Sequence, residues 1–243
     1  MDNIFFMCSL IVQAAASPAT QPPLPVTIII PALNEERVIS RTLASLRALD
    51  PPPAQILVSV GPSTDATARL ARAAGATVIA GAKGRAVQMD DAAAAAAKAS
   101  SKAPAGGGAL VFVHADTTVP ADLVALVRGA LADEVCVGGG FVSIIASAQR
   151  TFWGMSLHNV AKTFYLPLIF RPWAYPSGLR VLFGDQVIFC RAADYRAAGG
   201  FNRSLPIMEA GRPAPPTAAA LPGEGPWGAP LSAHFWPCCA TGP

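Results

Sequence analysis

The sequence predicts an α/β domain with a mainly parallel sheet flanked by helices. Three observations carry that expectation. Short apolar runs of strand length alternate four times with stretches of helical spacing before residue 138. Prolines and glycines punctuate the alternation, at Pro31, Pro51-Pro52-Pro53, Gly75 and residues 103–108. The strand candidates are apolar along much of their length, as strands covered by helices on both faces are.

The elements follow in order. Residues 17–25 form a Pro-rich lead-in. Val26-Thr27-Ile28-Ile29-Ile30 is a β-branched run ended by Pro31. Residues 35–49 place Val38, Leu43, Leu46 and Leu49 near helical spacing, with acids first and basic residues later. Gln55 to Val60 is the second strand. Ser63 or Thr64 is expected to cap a helix through Ala74, stopped by Gly75. Thr77 to Ala80, an Ala-rich helix over 85–102, Leu110 to Val113 and a helix over 120–132 complete the alternation. Ligands of such sheets sit at the carboxyl ends of the strands. That singles out residues 31–35, 61–65, 81–85 and 114–117.

Beyond residue 138 the pattern changes. Phe141 to Ile145 reads as a strand, 150–183 as an aromatic-rich irregular segment, Val187 to Cys190 as a short strand and 192–198 as a short helix. The 34 residues from Ala210 onward contain eight Pro and five Gly. They read as a disordered tail. The chain thus divides into a leader or linker over 1–24, a domain over 25–209 and a Pro/Gly-rich tail over 210–243.

Composition narrows the function. At 52% hydrophobic residues there is ample apolar surface to bury, which excludes a wholly disordered chain. The net charge of +3 comes with no dense Lys/Arg run, which excludes a nucleic-acid binder. Five cysteines with no CxxC pair point to buried reduced thiols rather than a disulfide framework or a zinc site. No stretch approaches the ~18–20 apolar residues of a spanning helix. Ile4 to Ala16 has the length of a signal-peptide core but lacks a positive n-region. A cytoplasmic or peripheral-membrane location is expected, with organelle or secretory targeting by residues 1–19 as the alternative. Phe164 to Phe170 contains Pro167 and reads as a buried loop or core segment. Peripheral membrane contact through 150–183 is the alternative there.

Four strand exits carry polar chemistry. Pro31-Ala32-Leu33-Asn34-Glu35 has no G-x-G-x-x-G fingerprint. Its Asn34 and Glu35 can hydrogen-bond a base or ribose, or simply cap the helix. Ser63 and Asp65 in Gly61-Pro62-Ser63-Thr64-Asp65 can bind ribose or phosphate, or cap a turn. Lys83-Gly84-Arg85, with Gln88 a turn later, puts two cations at a helix start, where a diphosphate binds well; a solvated basic turn is the alternative. His114 and Asp116 leave their strand two residues apart and can share one hard cation such as Mg²⁺ or Mn²⁺. Asp185 and Glu209 are candidates for the base that deprotonates an acceptor.

Together these pieces resemble family 2 glycosyltransferases. They are Ile30-Pro31-Ala32-Leu33-Asn34-Glu35, Ser63-Thr64-Asp65, Gly84-Arg85-Ala86-Val87-Gln88-Met89, His114-Ala115-Asp116-Thr117, Gly184-Asp185-Gln186 and Gly199-Gly200-Phe201. The GRAxQM, HADT and GDQ pieces look like a bacterial-type subgroup. The resemblance implies a GT-A fold, a nucleotide-diphosphate sugar as donor, a divalent metal (Mn²⁺ or Mg²⁺) and inversion at the sugar carbon. The acceptor is undefined: a lipid, a glycan or a small molecule. Pro31, Asn34 and Glu35 would line the nucleotide pocket. Asp116 would match the last acid of the D-x-D metal motif, with His114 in the place of the first. Gly199-Gly200-Phe201 would floor the site where donor sugar and acceptor meet. Two departures stand out. Val60 replaces an Asp that often contacts the base, and Ala210 follows Glu209 where the family carries its catalytic Asp. The break at Ala210 is expected to mark a frame change, a retained intron or a truncation. Two other readings therefore stay open: a non-catalytic relative that binds nucleotide or is unstable, and a membrane-surface or interaction protein.

Overall fold

A computed structural model of the protein describes residues 3–8, 23–99, 107–134, 136–147, 150–170, 172–174, 179–181, 186–201, 203 and 235–237. Strand β1 is Asn3–Cys8. The first half of the domain runs β2 (Val26–Ala32), α1 (Ile39–Arg47), β3 (Gln55–Val60), α2 (Thr67–Ala73), β4 (Thr77–Ala80), α3 (Arg85–Ala99) and β5 (Ala109–Phe112). There follow β6 (Thr117–Thr118), α4 (Leu123–Ala130), β7 (Gly138–Ser147), α5 (Trp153–Phe170), a 3₁₀ turn (Pro172–Ala174), β8 (Leu179–Val181), β9 (Val187–Arg191), α6 (Ala192–Ala197) and β10 (Phe235–Pro237).

The strands form one eight-stranded sheet of order β4-β3-β2-β5-β9-β7-β1-β6, and β10 pairs with β8 separately. Strands β4, β3, β2 and β5 are mutually parallel, as the alternation predicts. Strand β9 is antiparallel to both β5 and β7. Side chains along β2 point alternately to two cores. Ile28 and Ile30 pack with Ile39, Leu43 and Leu46 of α1 and with Leu123 and Val127 of α4. Ile29 packs on the other face with Met89, Ala92 and Ala96 of α3. That two-sided burial is why β2 is apolar at every position but Thr27. Each fully buried Ile contributes about 2–3 kcal/mol of transfer free energy.

Several expectations are corrected. Helix α1 starts at Ile39, because Asn34 adopts a left-handed backbone (φ 58°) and residues 36–38 form a turn that bonds back to the Glu35 carbonyl. Helix α2 starts at Thr67, whose N–H is accepted by Asp65 Oδ1 at 3.0 Å, so neither Ser63 nor Thr64 caps it. Gly75, at φ 75°, does end it, with the Ala76 N–H returning to the Ala71 carbonyl. Residues 3–8, read as leader, pair antiparallel with β7, and 235–237, read as disordered tail, pair with β8. Cys190 is a buried free thiol, but Cys136 is disulfide-bonded to a cysteine whose side chain lies outside the described residues.

The largest difference is α5. Residues 153–170, read as irregular, form an 18-residue helix through Pro167. Its buried positions are Ser156, Asn159 and Thr163, spaced as one helical face. A search for apolar periodicity passes over a helix whose inward face is polar. No helix among the described residues is long and apolar enough to cross a membrane.

Candidate active site

The carboxyl ends of the parallel strands open into a cavity of about 420 Å³. Pro31, Leu33 and Glu35 reach it from the exit of β2. Lys83, Gly84, Arg85 and Gln88 reach it from the start of α3, and His114, Ala115, Asp116 and Thr117 from the exit of β5. Seven sequence-predicted residues therefore meet around one space: Pro31, Glu35, Lys83, Arg85, Gln88, His114 and Asp116. Leu33, Gly84 and Thr117 join them.

The charges are arranged in opposition. Glu35 is partly buried, and that burial raises its carboxyl above the ordinary value. The nearby Asp116 charge raises it further, and the Arg85 guanidinium draws it back down. Two carboxylates, two cations and an imidazole thus face one cavity, beside the N-terminus of the 15-residue α3. The Thr117 hydroxyl, on the same wall, is buried and has no hydrogen-bond partner among the described residues. Among those residues no three His, Cys, Asp or Glu side chains converge as a metal cage. The donor set does fit Mg²⁺ or Mn²⁺, which bind through one or two carboxylates plus phosphate and water.

The other nucleotide-side candidates hold loops together. Asn34 N–H donates to Ser63 Oγ at 3.1 Å, and Thr64 N–H donates back to Asn34 Oδ1 at 2.9 Å. Glu36 N–H donates to Asp65 Oδ2 (3.1 Å), and Ala66 N–H to a Glu36 carboxylate oxygen (3.0 Å). Glu35 N–H donates to Thr67 Oγ1, whose own proton goes to Asp65 Oδ1 at 2.6 Å. Partial desolvation of Asp65 would raise its carboxyl, but the hydrogen bonds from Thr67 and Glu36 outweigh that and hold it below its usual value. Asn34, Ser63 and Asp65 thereby lock the β2 exit against the β3 exit and fix where Glu35 stands. Gln88 has a similar role. It is buried, its Nε2 donates to the Ala32 carbonyl at 3.1 Å, and a Cβ on Gly61 would stand 2.5 Å from that nitrogen.

Gly199 and Gly200 sit elsewhere. They end α6, both at positive φ, and line a separate groove between α3 and α6. Only Phe201 of that motif reaches the site side. It lines a small cavity with Pro31, His114, Gln186 and Ile188. Asp185 and Glu209, the candidate bases, lie outside the described residues.

Thr42, Asp90 and Tyr195 are positioning residues that escaped the sequence reading. Thr42 on α1 donates its hydroxyl to the Ala115 carbonyl at 2.6 Å and so holds the His114–Asp116 turn. Asp90 on α3 accepts the Phe201 N–H at 2.9 Å and the Tyr195 hydroxyl. The Phe201 ring in turn packs edge-on against Phe112 and Tyr195, at 5.0 and 5.5 Å between centroids. For Asp90 a faint signal existed, since it directly follows the motif at residues 84–89. Nothing in the sequence links it to Tyr195 or Phe201.

Comparison with known proteins completes the picture. Among solved structures, the chain is similar to the mannosyltransferase PcManGT from Pyrobaculum calidifontis, solved with GDP-Man and Mn²⁺ (TM-score 0.54, 18% identity, 81% of this chain and 52% of that one). It is also similar to glucosyl-3-phosphoglycerate synthase of M. tuberculosis (TM-score 0.48, 20% identity, 72% of this chain and 59% of that one). The chain therefore spans between about half and three fifths of the length of these neighbours. No curated protein matches significantly. The first of these likenesses places the α/β sheet in the GT-A architecture. The family model for glycosyl transferase family 2 matches residues 27–192, more than half of the chain, and the chain belongs to that family.

Proposed function

We propose that the chain transfers a sugar from a nucleoside-diphosphate donor to an acceptor hydroxyl, using the 420 Å³ cavity as the donor site. The single observation that carries this reading is the opposition of Glu35 and Asp116 to Lys83 and Arg85 around that cavity, at the N-terminus of α3. A nucleoside diphosphate needs that set: cations and a helix N-terminus for the phosphates, and carboxylates for ribose hydroxyls and a counter-cation. The cavity size suits a ligand of that kind.

In this reading Pro31, Leu33 and Glu35 hold the nucleoside, while Lys83, Gly84 and Arg85 hold the diphosphate. Asp116, with His114 beside it, holds Mn²⁺ or Mg²⁺, which would neutralise the charge that builds on the leaving diphosphate. A carboxylate, Asp185 or Glu209, takes the proton of the acceptor hydroxyl. The acceptor oxygen then bonds to the anomeric carbon as the bond to the diphosphate oxygen breaks on the opposite face, inverting that carbon. The GDP-Man and Mn²⁺ held by the mannosyltransferase are of this donor class. The test is release of nucleoside diphosphate from UDP-glucose and GDP-mannose, with and without Mn²⁺. Metal-dependent release that Arg85→Ala abolishes is the expected result. Tight nucleotide binding with no release from any donor or acceptor would favour the non-catalytic reading, which Ala210 motivates.

A further inference from the structure

Helix α5 is built inside out for a helix facing water. Its inward face carries Ser156, Asn159 and Thr163, all buried. Ser156 Oγ accepts the Ile145 N–H of β7 at 2.9 Å, and Thr163 Oγ1 accepts from Gln186 Nε2 at 3.4 Å. Ser156 and Thr163 thus spend their hydroxyls on the protein, while the Asn159 amide nitrogen is buried with no hydrogen-bond partner among the described residues. Its opposite face is open and mostly apolar, with His158 and Lys162 among the apolar side chains: Leu157 is 68% exposed, Leu168 53% and Ile169 64%. Trp153 and Trp173 flank the face at 71% and 68%, with Tyr165 along it. Among the described residues nothing covers this surface. A patch of this size on one element marks a contact with an apolar medium or partner.

The charge pattern says which. Residues 135–184 contain no Asp or Glu but include Arg150, Lys162, Arg171 and Arg180. The rest of the chain carries fourteen cations against fifteen acids, so the net +3 arises from this segment. A second copy of the chain would bring two such cationic segments together with no acid between them, which opposes association. An anionic lipid surface instead pairs with the cations and accepts the apolar face. Trp and Tyr are the residues that settle at headgroup level. The helix is about 27 Å long and suits lying in the interface plane.

We propose that the outward face of α5 docks this protein onto an anionic lipid surface. This surface is independent of the donor-site reading, since it shares no residue with the donor cavity.

The test is flotation of the full chain with vesicles of phosphatidylcholine alone and of equimolar phosphatidylcholine and phosphatidylglycerol. The wild type is expected to float with the anionic vesicles only and to be released by high salt. The double variant Leu168→Glu/Ile169→Glu is expected to bind about a hundredfold more weakly. Both positions are exposed, so its melting temperature is expected to match the wild type. The tryptophan emission of the wild type, and not of the variant, is expected to shift to the blue on adding anionic vesicles. The proposal is overturned if the wild type stays in solution, or if an equally stable variant floats as well as the wild type. It is also overturned if the chain dimerises through this face, seen as a concentration-dependent dimer that the variant abolishes without vesicle binding.

Discussion

Asp90 and Phe201 are 111 residues apart, and the carboxylate of the first accepts the backbone N–H of the second at 2.9 Å. The bond joins α3, whose first turn delivers Arg85 and Gln88 to the 420 Å³ cavity, to the turn that delivers Phe201 to the small cavity beside it. Gly200 makes this approach feasible, because a Cβ there would stand 2.6 Å from Asp90 Oδ1. Desolvation of Tyr195 and its bond to Asp90 both push the phenol far above its ordinary value, so Tyr195 stays a donor to that carboxylate at any working pH. Asp90→Ala leaves a buried N–H and a buried hydroxyl without an acceptor. The expected cost is about 2–4 kcal/mol in chemical denaturation. Asp90→Asn, which keeps one acceptor oxygen, is expected to lose about half of that.

Glu35 links stability to pH. Its folded-state pKa is raised, so the folded protein holds that proton more tightly than the unfolded chain does. Stability from this group is therefore present below the unfolded value of about 4.5 and is lost as pH rises through the raised folded value. Glu35→Gln removes the penalty. The variant is expected to melt slightly above the wild type at pH 7 and level with it below pH 4.5. Lower melting at pH 7 would show that the carboxylate is instead satisfied by its protein neighbours.

Lys83 and Arg85 are assigned to the diphosphate. Lys83→Ala and Arg85→Ala are each expected to weaken UDP or GDP binding by about tenfold or more in calorimetric titration. Neither is expected to change binding of the corresponding nucleoside, which lacks the charge they meet.

Thr42 acts through the main chain. Thr42→Val keeps the shape of the side chain and leaves the Ala115 carbonyl without its donor. A loss of about 1–2 kcal/mol in stability is expected. The Mn²⁺-dependent part of nucleotide binding is expected to weaken, because the same turn carries Asp116, while metal-free binding stays unchanged.

The legible part of this protein is the part where one rule decides. Strands β2, β3 and β5 are read correctly because burial on both faces leaves runs such as Ile28-Ile29-Ile30 that no exposed element would carry. The residues of three strand exits come together around one cavity because a parallel sheet collects them at one end. What each exit residue does is less legible. Asn34, Ser63 and Asp65 have the groups a ribose needs, and the same groups serve a neighbouring loop equally well. Only the partner decides, and Asn34 and Ser63 come together across 29 residues of sequence. Helix α5 was illegible because its inward residues are Ser156, Asn159 and Thr163, so hydrophobic periodicity points to the wrong face. Gly199-Gly200 reads as a ligand floor, yet its glycines are needed to turn the chain past Asp90.

The most direct test of the donor-site assignment is thermal melting of the full chain with UDP and GDP, with and without Mn²⁺, alongside Asp116→Ala. The account expects a nucleotide-dependent rise in midpoint that grows with Mn²⁺ in the wild type. It expects the Mn²⁺-dependent part to vanish in Asp116→Ala while the metal-free part remains. A cooperative melt that no nucleotide moves, or a Mn²⁺ response that survives in Asp116→Ala, would contradict it.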